Sequence, residues 1–409
     1  METNSYPRLR SVEAIFVPHD AFGRALLLRD GEGIAEAALA IRADLAAVVT
    51  SMDGTRSIEA LARHAGSIAG QTIDVTTVRQ LVTELDAAYF LDSPHYVRKR
   101  REVVAAFKSR SERPAHHAGS AYHADAKELR RFIENDCLAK ARRVAGRGRM
   151  VGLCAPHMDL WRASVGYGHA YAALAESLPD EVDTMFVLGT SHTPMRRPFA
   201  VCDKPFVTPL GAMSPDREAI AWLASRSRFD VKEDEYLHKC EHSLEFQVVF
   251  LRHLVGTRPV RIVPILCGLG RAISSGIEPS SDAAAESFLV ALRELVERRG
   301  ERSFVVVGAD LAHVGPRFGD ARPLDARQRD ELLQRDRVSI ERMVERDARG
   351  FYVHVREDLD TRRVCGIGPI YTALRVLPEG ASGEVLHYDQ CVDPGEGSIV
   401  SHASLGFYR

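Results

Sequence analysis

The sequence lacks a long apolar segment, a strong net charge and a secretory leader, and each absence excludes a class of protein. No apolar run approaches the roughly 20 residues that a membrane-spanning helix needs. The first residues, METNSYPRLRSVEAIF, contain no apolar core of a signal peptide, so we expect a cytoplasmic protein with no membrane partner. The formal net charge is −2, and no global field therefore favours nucleic acid or anionic lipid.

Paired cysteines are also missing. The seven cysteines are scattered, and none belongs to a Cys-x-x-Cys pair. They are Cys137, Cys154, Cys202, Cys240, Cys267, Cys365 and Cys391. An odd number at such spacings argues against a disulfide framework and against a four-cysteine zinc site. We expect most of them to be small buried residues.

What is present is enough sequence for two domains. The chain has 409 residues, of which 45% are hydrophobic and 27% charged, as is typical of globular proteins. We predict one domain over residues 1–95, a basic linker over 96–113 and a second domain over 114–409. The segment 95–113 (HYVRKRREVVAAFKSRSER) is strongly basic. Because the bias is short and the whole chain is not basic, a solvated linker is favoured over a nucleic-acid site.

Residues 1–95 are expected to form a small, mainly helical unit. The apolar run 25–30 ends in Asp-Gly, a hairpin signal, and a helix is predicted over 34–49. Ser57 is a candidate N-cap of a second helix, and apolar residues recur at helical spacing from Val75. Followed by Phe90-Leu91-Asp92, this order resembles winged-helix modules of the PqqD-like kind, which bind peptides or partner proteins as often as DNA. A helical docking cap for the main domain is the alternative.

From residue 148 onwards, short apolar strands alternate with helices. Strands are predicted over 150–155, 184–189, 260–266 and 303–308, and helices over about 167–178 and 282–298. The strands are almost continuously apolar, which is typical of strands covered on both faces. The fold class is therefore α/β, with a mixed, largely parallel sheet flanked by helices.

Polar residues of chemical interest follow three of these strands. His157 comes after the first strand, His192 after the second, and Asp310 and His313 after the fourth. In open α/β sheets, ligands bind at the carboxyl ends of the strands. We therefore expect these side chains to meet at one edge of the sheet.

Two further segments add metal-binding side chains. Glu241 and His242 open an amphipathic helix, and Cys365 lies in a glycine-rich turn before another helix. Imidazole and thiolate groups suit Fe, Cu and Zn, and two or three histidines with a carboxylate or cysteine are a usual open ligand set. A single histidine or cysteine is more often structural, so the conjunction of several is what favours a metal site.

Seven short motifs in order resemble the Memo family, and specifically the bacterial members called AmmeMemoRadiSam system protein B. They are 117–122 (HAGSAY), 155–157 (APH) with 168–171 (GHAY), 188–192 (LGTSH), 241–245 (EHSLE), 262–266 (IVPIL), 310–318 (DLAHVGPRF) and 365–370 (CGIGPI). The motifs cover roughly residues 110–409. Each is short, but their order and spacing make the resemblance specific.

The resemblance implies a fold like that of class III extradiol dioxygenases, with a metal cleft at the strand ends. It implies one metal ion, Fe(II) or Cu with Zn as a further candidate, held by His157, His192 and Cys365. By the same resemblance, Asp310 and His313 fall on positions beside the metal. Glu241 and His242 fall on the lining of the cleft; their positions in this sequence match the motif.

The sequence departs from the family pattern after two of the implied ligands. The common His-Ala-Gly-Tyr is replaced by 157–160 (HMDL), which adds Asp159 and the nearby Arg162 to the expected cleft. The Gly-Arg-His-Pro form after the cysteine is replaced by 366–369 (GIGP). The ligands are unaffected, but substrate contacts cannot be transferred from the family.

Two functions are expected. In the first, the protein is a metal-dependent redox enzyme, in which His313 shuttles a proton and Asp310 fixes a ligand tautomer or adds a ligand. In the second, it is a non-catalytic accessory protein of a radical-SAM partner, and the cleft or the N-terminal module recognises a peptide, a small molecule or the partner. Hydrolysis by a zinc-bound water is a weaker third alternative.

Overall fold

The chain folds into two units, Met1–Arg110 and Ser111–Arg409, each with its own hydrophobic core. The computed structural model describes residues 5–141, 148–269, 275–357 and 361–409. Residues 96–113, predicted as a linker, span the division between the units and lie mostly in a helix that ends at Ser109. Within the described ranges, no helix is long and apolar enough to cross a membrane.

Over residues 5–110, the first unit combines a three-stranded antiparallel sheet with four α-helices. The strands are β1 (Glu13–His19), β2 (Gly23–Arg29) and β3 (Leu39–Arg42), and the helices are α1 (Ala46–Thr50), α2 (Ile58–Ala69), α3 (Val75–Ala87) and α4 (Pro94–Ser109). The Ser57 side chain accepts a hydrogen bond from the N–H of Ala60, so the predicted N-cap is confirmed.

The helix predicted over 34–49 is wrong in its first half. Residues Leu39–Arg42 form a strand that pairs with β2, where Ile41 lies opposite Leu26. Both side chains are buried in the core of the unit. Burial against a neighbouring strand has overridden the helical preference of a local sequence rich in alanine.

The second unit is built on an eight-stranded mixed sheet, which confirms the predicted fold class. Its strands are β4 (Met150–Ala155), β5 (Thr184–Thr190), β6 (Phe199–Val201), β9 (Arg261–Cys267), β10 (Ser303–Gly308), β11 (His313–Val314), β12 (Ser382–Val392) and β13 (Ile399–Tyr408), while β7 (Phe206–Thr208) and β8 (Gly211–Met213) form a separate hairpin. The order is β11-β13-β4-β10-β5-β9-β6, and β12 pairs with β13. The central strands β4, β10, β5 and β9 are parallel, and the others join antiparallel.

The four predicted strands are the parallel centre of this sheet, and their observed ends differ from the predicted ones by one residue at most. The antiparallel strands β12 and β13 were not predicted. All ten residues of β13 are buried, because β13 lies between β4 and its partners β11 and β12. The C-terminal strands therefore turn a parallel centre into a mixed sheet.

Helices cover both faces of the sheet. They are α5 (Ala126–Phe132), α6 (Ser164–Ser177), α7 (Arg217–Arg226), α8 (His242–Val255), α9 (Ala283–Arg299), α10 (Ala326–Val344), α11 (Ala348–Glu357) and α12 (Ile367–Val376). The start of α8 packs directly on the ends of β5 and β10. A Cβ atom added to Gly308 would lie 2.3 Å from the carbonyl oxygen of Ser243, so only glycine permits this approach. The start of α8 is thereby placed beside the carboxyl edge of the sheet.

Candidate metal centre

Three adjacent strands deliver the predicted site residues to one edge. Gly308, the last residue of β10, lies opposite Ala155 in β4 and opposite Gly189 in β5. His157 follows the end of β4 by two residues, and His192 follows the end of β5 by two residues. Because β10 lies between these strands, Asp310 emerges between the two histidines.

His157 is buried and held in one tautomer. Its Nδ1 lies 3.0 Å from the carbonyl oxygen of Gly308, which can only accept, so Nδ1 carries the proton and Nε2 carries the lone pair. Its backbone N–H donates to Oδ1 of Asp310 at 3.0 Å. Burial lowers the pKa of His157 to about 3, so the ring is neutral near pH 7.

Cys365 reaches the same point from a distant part of the sequence. Its Sγ lies 3.1 Å from Nε2 of His157, the nitrogen with the lone pair. The turn that carries it is fixed by two hydrogen bonds. Thr190 Oγ1 donates to the carbonyl of Cys365 at 3.0 Å, and the N–H of Gly366 donates to the carbonyl of Asp310 at 3.1 Å. The ends of β5 and β10 therefore position the thiol.

Glu241 orients His192. Its carboxylate accepts the backbone N–H of His192 and the N–H of Ser243, each at 3.0 Å, and lies 3.0 Å from Nδ1 of His192. It is thus both the N-cap of α8 and the partner that places the proton on Nδ1 of His192. Burial alone would raise the pKa of Glu241, but His192 and His242 hold it well below its ordinary value.

These contacts bring the three predicted ligands together. One ligand atom from each of His157, His192 and Cys365 lies within 4.8 Å of the other two, and such a group can hold a metal ion. A second group of the same kind consists of His192, Glu241 and His242. The rings of His192 and His242 stack with their centroids 4.5 Å apart.

Asp310 and His313 lie beside this cluster. Oδ2 of Asp310 is 3.6 Å from Nε2 of His157 and is a buried oxygen without a hydrogen-bond partner in the described part of the chain. Burial raises the pKa of Asp310. His313 directs Nδ1 to the carbonyl of Leu311 at 3.3 Å, and burial lowers its pKa to about 4. His313 is therefore neutral near pH 7.

Asp159 and Arg162 pair with each other. Arg162 Nε donates to Oδ2 of Asp159 at 2.6 Å, and its backbone N–H donates to Oδ1 at 3.1 Å. Neither residue belongs to the two groups of ligand atoms described above. Between them in the sequence, Trp161 packs edge-on against His123 and Phe132 and is 40% exposed.

A buried ion pair beside the site was missed by the sequence analysis. Arg113, assigned to the solvated linker, is fully buried and pairs with Glu245, which is 1% exposed. Glu245 also accepts the backbone N–H groups of His116 and His117, while Arg113 donates to the carbonyl of Glu241 at 2.9 Å. Arg113 lies in the second unit, and its carboxylate partner comes 132 residues later in the sequence. The only available signal was the second acidic residue of the motif 241–245.

His402 was also missed. It lies on the unpredicted strand β13, is 1% exposed, and favours the charged form of Asp310. Its own pKa is lowered by burial. The residues around His402 are apolar or small and form no recognisable motif. Its place near the site is visible only from the pairing of β13 with β4.

Known proteins resemble this chain along most of its length. The family model described as Memo-like protein matches residues 113–406. A MEMO1 family protein of Aquifex aeolicus is 29% identical over 389 residues, covering 95% of this chain and 97% of that protein. The MEMO1 family protein TTHA0924 of Thermus thermophilus is 30% identical over 281 residues, covering 68% of this chain and 77% of that protein. The Aquifex alignment omits so little of the chain that it includes parts of both units.

A solved structure is also similar. An uncharacterized protein of Escherichia coli K12, JW3007, matches 63% of this chain and 99% of its own chain, at 12% identity and a TM-score of 0.35.

Proposed function

This chain belongs to the Memo family, and on that premise we propose that it is a metal-dependent redox enzyme of the AmmeMemoRadiSam system protein B type. It binds one ion, Fe(II) or Cu, through His157, His192 and Cys365. The observation that carries the proposal is the approach of the Cys365 thiol to Nε2 of His157 at 3.1 Å, with His192 in the same group.

The donor set fits such an ion. Two imidazoles and a thiol suit Fe, Cu and Zn better than Mg or Ca, which prefer oxygen ligands. Each histidine has its Nδ1 hydrogen-bonded, His157 to a carbonyl and His192 to a carboxylate, which is the usual outer support of a ligand histidine. When bound, Fe or Cu would supply redox chemistry at this edge of the sheet, whereas Zn is redox-inactive and would act as a Lewis acid or activate a bound water.

The surrounding residues support proton handling next to the ligands. Asp310 holds the backbone of His157 and keeps Oδ2 facing the ring, so it can orient a ligand or receive a proton. His313 is neutral near pH 7 and interacts electrostatically with Asp310, His157 and His192. A neutral imidazole at this place is suited to take and return a proton during turnover.

The decisive experiment is metal analysis of full-length protein purified without oxygen, followed by O2-consumption assays with catechols and with reductants. We expect about one Fe or Cu per chain and O2 uptake that depends on it. The Cys365→Ser variant should bind Fe or Cu at least about tenfold more weakly, and its O2 uptake should fall with its metal content. Metal retained at the wild-type level in Cys365→Ser would contradict the proposed ligand set.

The second candidate function is that of an accessory protein for a radical-SAM partner. Its support is the N-terminal unit, whose order of strands and helices is compatible with a PqqD-like peptide-binding module. The Aquifex relative extends over this unit as well as over the metal-site unit. Metal-loaded full-length protein that shows no O2 uptake with any of these substrates, but binds a peptide or a radical-SAM protein, would favour this function over catalysis.

A further inference from the structure

We propose that His242, Glu241 and His192 form a second, outer cation site, through which a metal ion reaches the inner site formed by His157, His192 and Cys365. The inference rests on the proposed function, because it takes the inner site as the destination. The two sites share His192 and would hold the ion in succession. The outer site takes divalent transition-metal ions, since its donors are two imidazoles and a carboxylate.

The geometry of the outer group is close to that of a metal site. Oε1 of Glu241 lies 3.0 Å from Nδ1 of His192 and 3.4 Å from Nδ1 of His242. Ligands at about 2.1 Å from a tetrahedral ion are separated by roughly 3.4 Å. A cation can therefore enter between these three atoms after small movements of the side chains.

Exposure of the side chains gives the direction of transfer. The side chains of His192 and His242 are 37% and 30% exposed, whereas that of His157 is 2% exposed. An ion from solvent thus meets the outer group first. Two further imidazoles continue outward from it: the rings of His242 and His117 lie 5.7 Å apart, and those of His117 and His116 lie 4.7 Å apart.

Because the two sites share His192, only one of them can hold an ion at a time. A neutral imidazole carries one proton and one lone pair on its two ring nitrogens. Binding to the outer site uses the lone pair of Nδ1 of His192, whereas binding to the inner site uses Nε2 while Nδ1–H donates to Glu241. Transfer moves the ring proton of His192 from Nε2 to Nδ1 through water, and the thiol of Cys365 releases its proton to solvent as the sulfur binds the ion. The thiol of Cys365 makes the inner site the stronger one for soft ions.

The test measures two rates in the full-length protein: the rate at which Co(II) enters the metal-free form and the rate at which it leaves the loaded form. Both are observed by stopped-flow spectroscopy through the sulfur-to-cobalt charge-transfer absorption. The variant His242→Phe keeps a ring stacked on His192 but removes the ligand nitrogen. We expect loading and release to slow by the same factor, about tenfold, which corresponds to about 1.4 kcal/mol in each barrier. The Kd of the inner site should stay unchanged, because the substitution removes a ligand of the outer site and none of the inner site.

Controls separate this effect from general damage to the fold. His253→Phe, a substitution on the same helix α8, should leave both rates unchanged. His242→Gln should repeat the result of His242→Phe, and circular dichroism should show both variants folded. Unchanged rates in both His242 variants would overturn the proposal. A higher Kd of the inner site caused only by faster release would also overturn the proposal, since His242 would then stabilise the ion bound at the inner site.

A second measurement tests the outer site by itself. Cys365→Ser should bind one Co(II) with lower affinity and without the sulfur band, and adding His242→Phe should abolish that binding. If Cys365→Ser bound no Co(II), there would be no outer site. Wild-type protein without the sulfur band would instead refute the proposed function, and the outer site would still be decided by the comparison of these two variants.

Discussion

The Sγ of Cys365 lies 3.1 Å from Nε2 of His157, although 208 residues separate them in the sequence. The contact exists because β4 and β5 flank β10 and because the turn before α12 is hydrogen-bonded to Thr190 and Asp310 at the ends of β5 and β10. The proposed ligands therefore meet only when these strand ends and the turn are in place together.

Replacing Cys365 by Ser should weaken binding of Cu(I) or Fe(II) by at least about tenfold, because an alcohol is a much poorer ligand for these ions than a thiolate. The measurement is metal content after anaerobic dialysis against a competing chelator. Cys154, which is buried in β4, provides the matched control. Cys154→Ala should keep its metal, and loss of metal from this folded variant would assign the thiol ligand to Cys154.

Replacing Glu241 by Gln should lower metal affinity by about 10- to 100-fold, the usual effect of losing the partner that orients a ligand histidine. The amide can still accept the N–H of Ser243, so α8 should keep its N-cap. Metal titration and thermal unfolding together separate the two roles. Full affinity in Glu241→Gln would show that the carboxylate does not set the orientation of His192.

Replacing His313 by Ala should leave the metal bound and should reduce turnover by roughly 100- to 10,000-fold, the range expected for loss of a general acid or base. O2 consumption and metal content must be measured on the same preparation. Retained metal with full activity would remove His313 from the reaction and favour the accessory function.

Replacing Arg113 by Ala should reduce the free energy of unfolding of the second unit by about 3–5 kcal/mol, because the buried carboxylate of Glu245 loses its counter-charge. The two tryptophans, Trp161 and Trp222, both lie in this unit, so their fluorescence in denaturant reports on it alone. Arg327→Ala, which breaks an exposed pair with Glu331, should change the free energy of unfolding by less than about 1 kcal/mol. Equal effects of both substitutions would contradict the burial argument.

Replacing His313 by Gln should make the free energy of unfolding fall less steeply as the pH is lowered. Burial lowers the pKa of His313 from its ordinary value of 6.5 to about 4 in the folded protein. Below pH 6.5 the unfolded chain therefore binds a proton at this residue, whereas the folded chain does not bind it until the pH approaches 4. Stability from this group is therefore complete above pH 6.5 and is lost as the pH falls towards 4. Denaturant unfolding at several pH values measures the slope. The same slope in wild type and variant would show that His313 keeps its ordinary pKa when folded.

Local pattern was sufficient for the parallel centre of the sheet and insufficient for its edges. The strands β4, β5, β9 and β10 are short, continuously apolar and bounded by turns, because they are covered on both faces. In β12 most side chains are only partly buried, and β13 mixes apolar residues with serines and His402, so neither has a pattern typical of a buried strand. In the first unit, Leu39–Arg42 was mistaken for helix because its strand partner β2 is not visible in the local sequence.

The same division applies to the site. His157, His192, Asp310 and His313 could be selected because each follows a predicted strand, and the carboxyl ends of parallel strands share one edge. Cys365 could be singled out from its glycine-rich turn, but the resemblance to a family was what assigned it as a metal ligand. Its approach to His157 depends on a turn whose hydrogen bonds join distant segments.

The sequence by itself determined the four parallel strands at the centre of the sheet, the candidate metal-binding side chains and the family, because these depend on local periodicity and short motifs. Only the tertiary structure decided which nitrogen carries the proton in His157 and in His192, that Arg113 is buried against Glu245, and that His192 belongs to both groups of ligand atoms. The physical reason is that proton position, desolvation and ligand geometry depend on atoms contributed by distant segments, and sequence patterns record only neighbours along the chain.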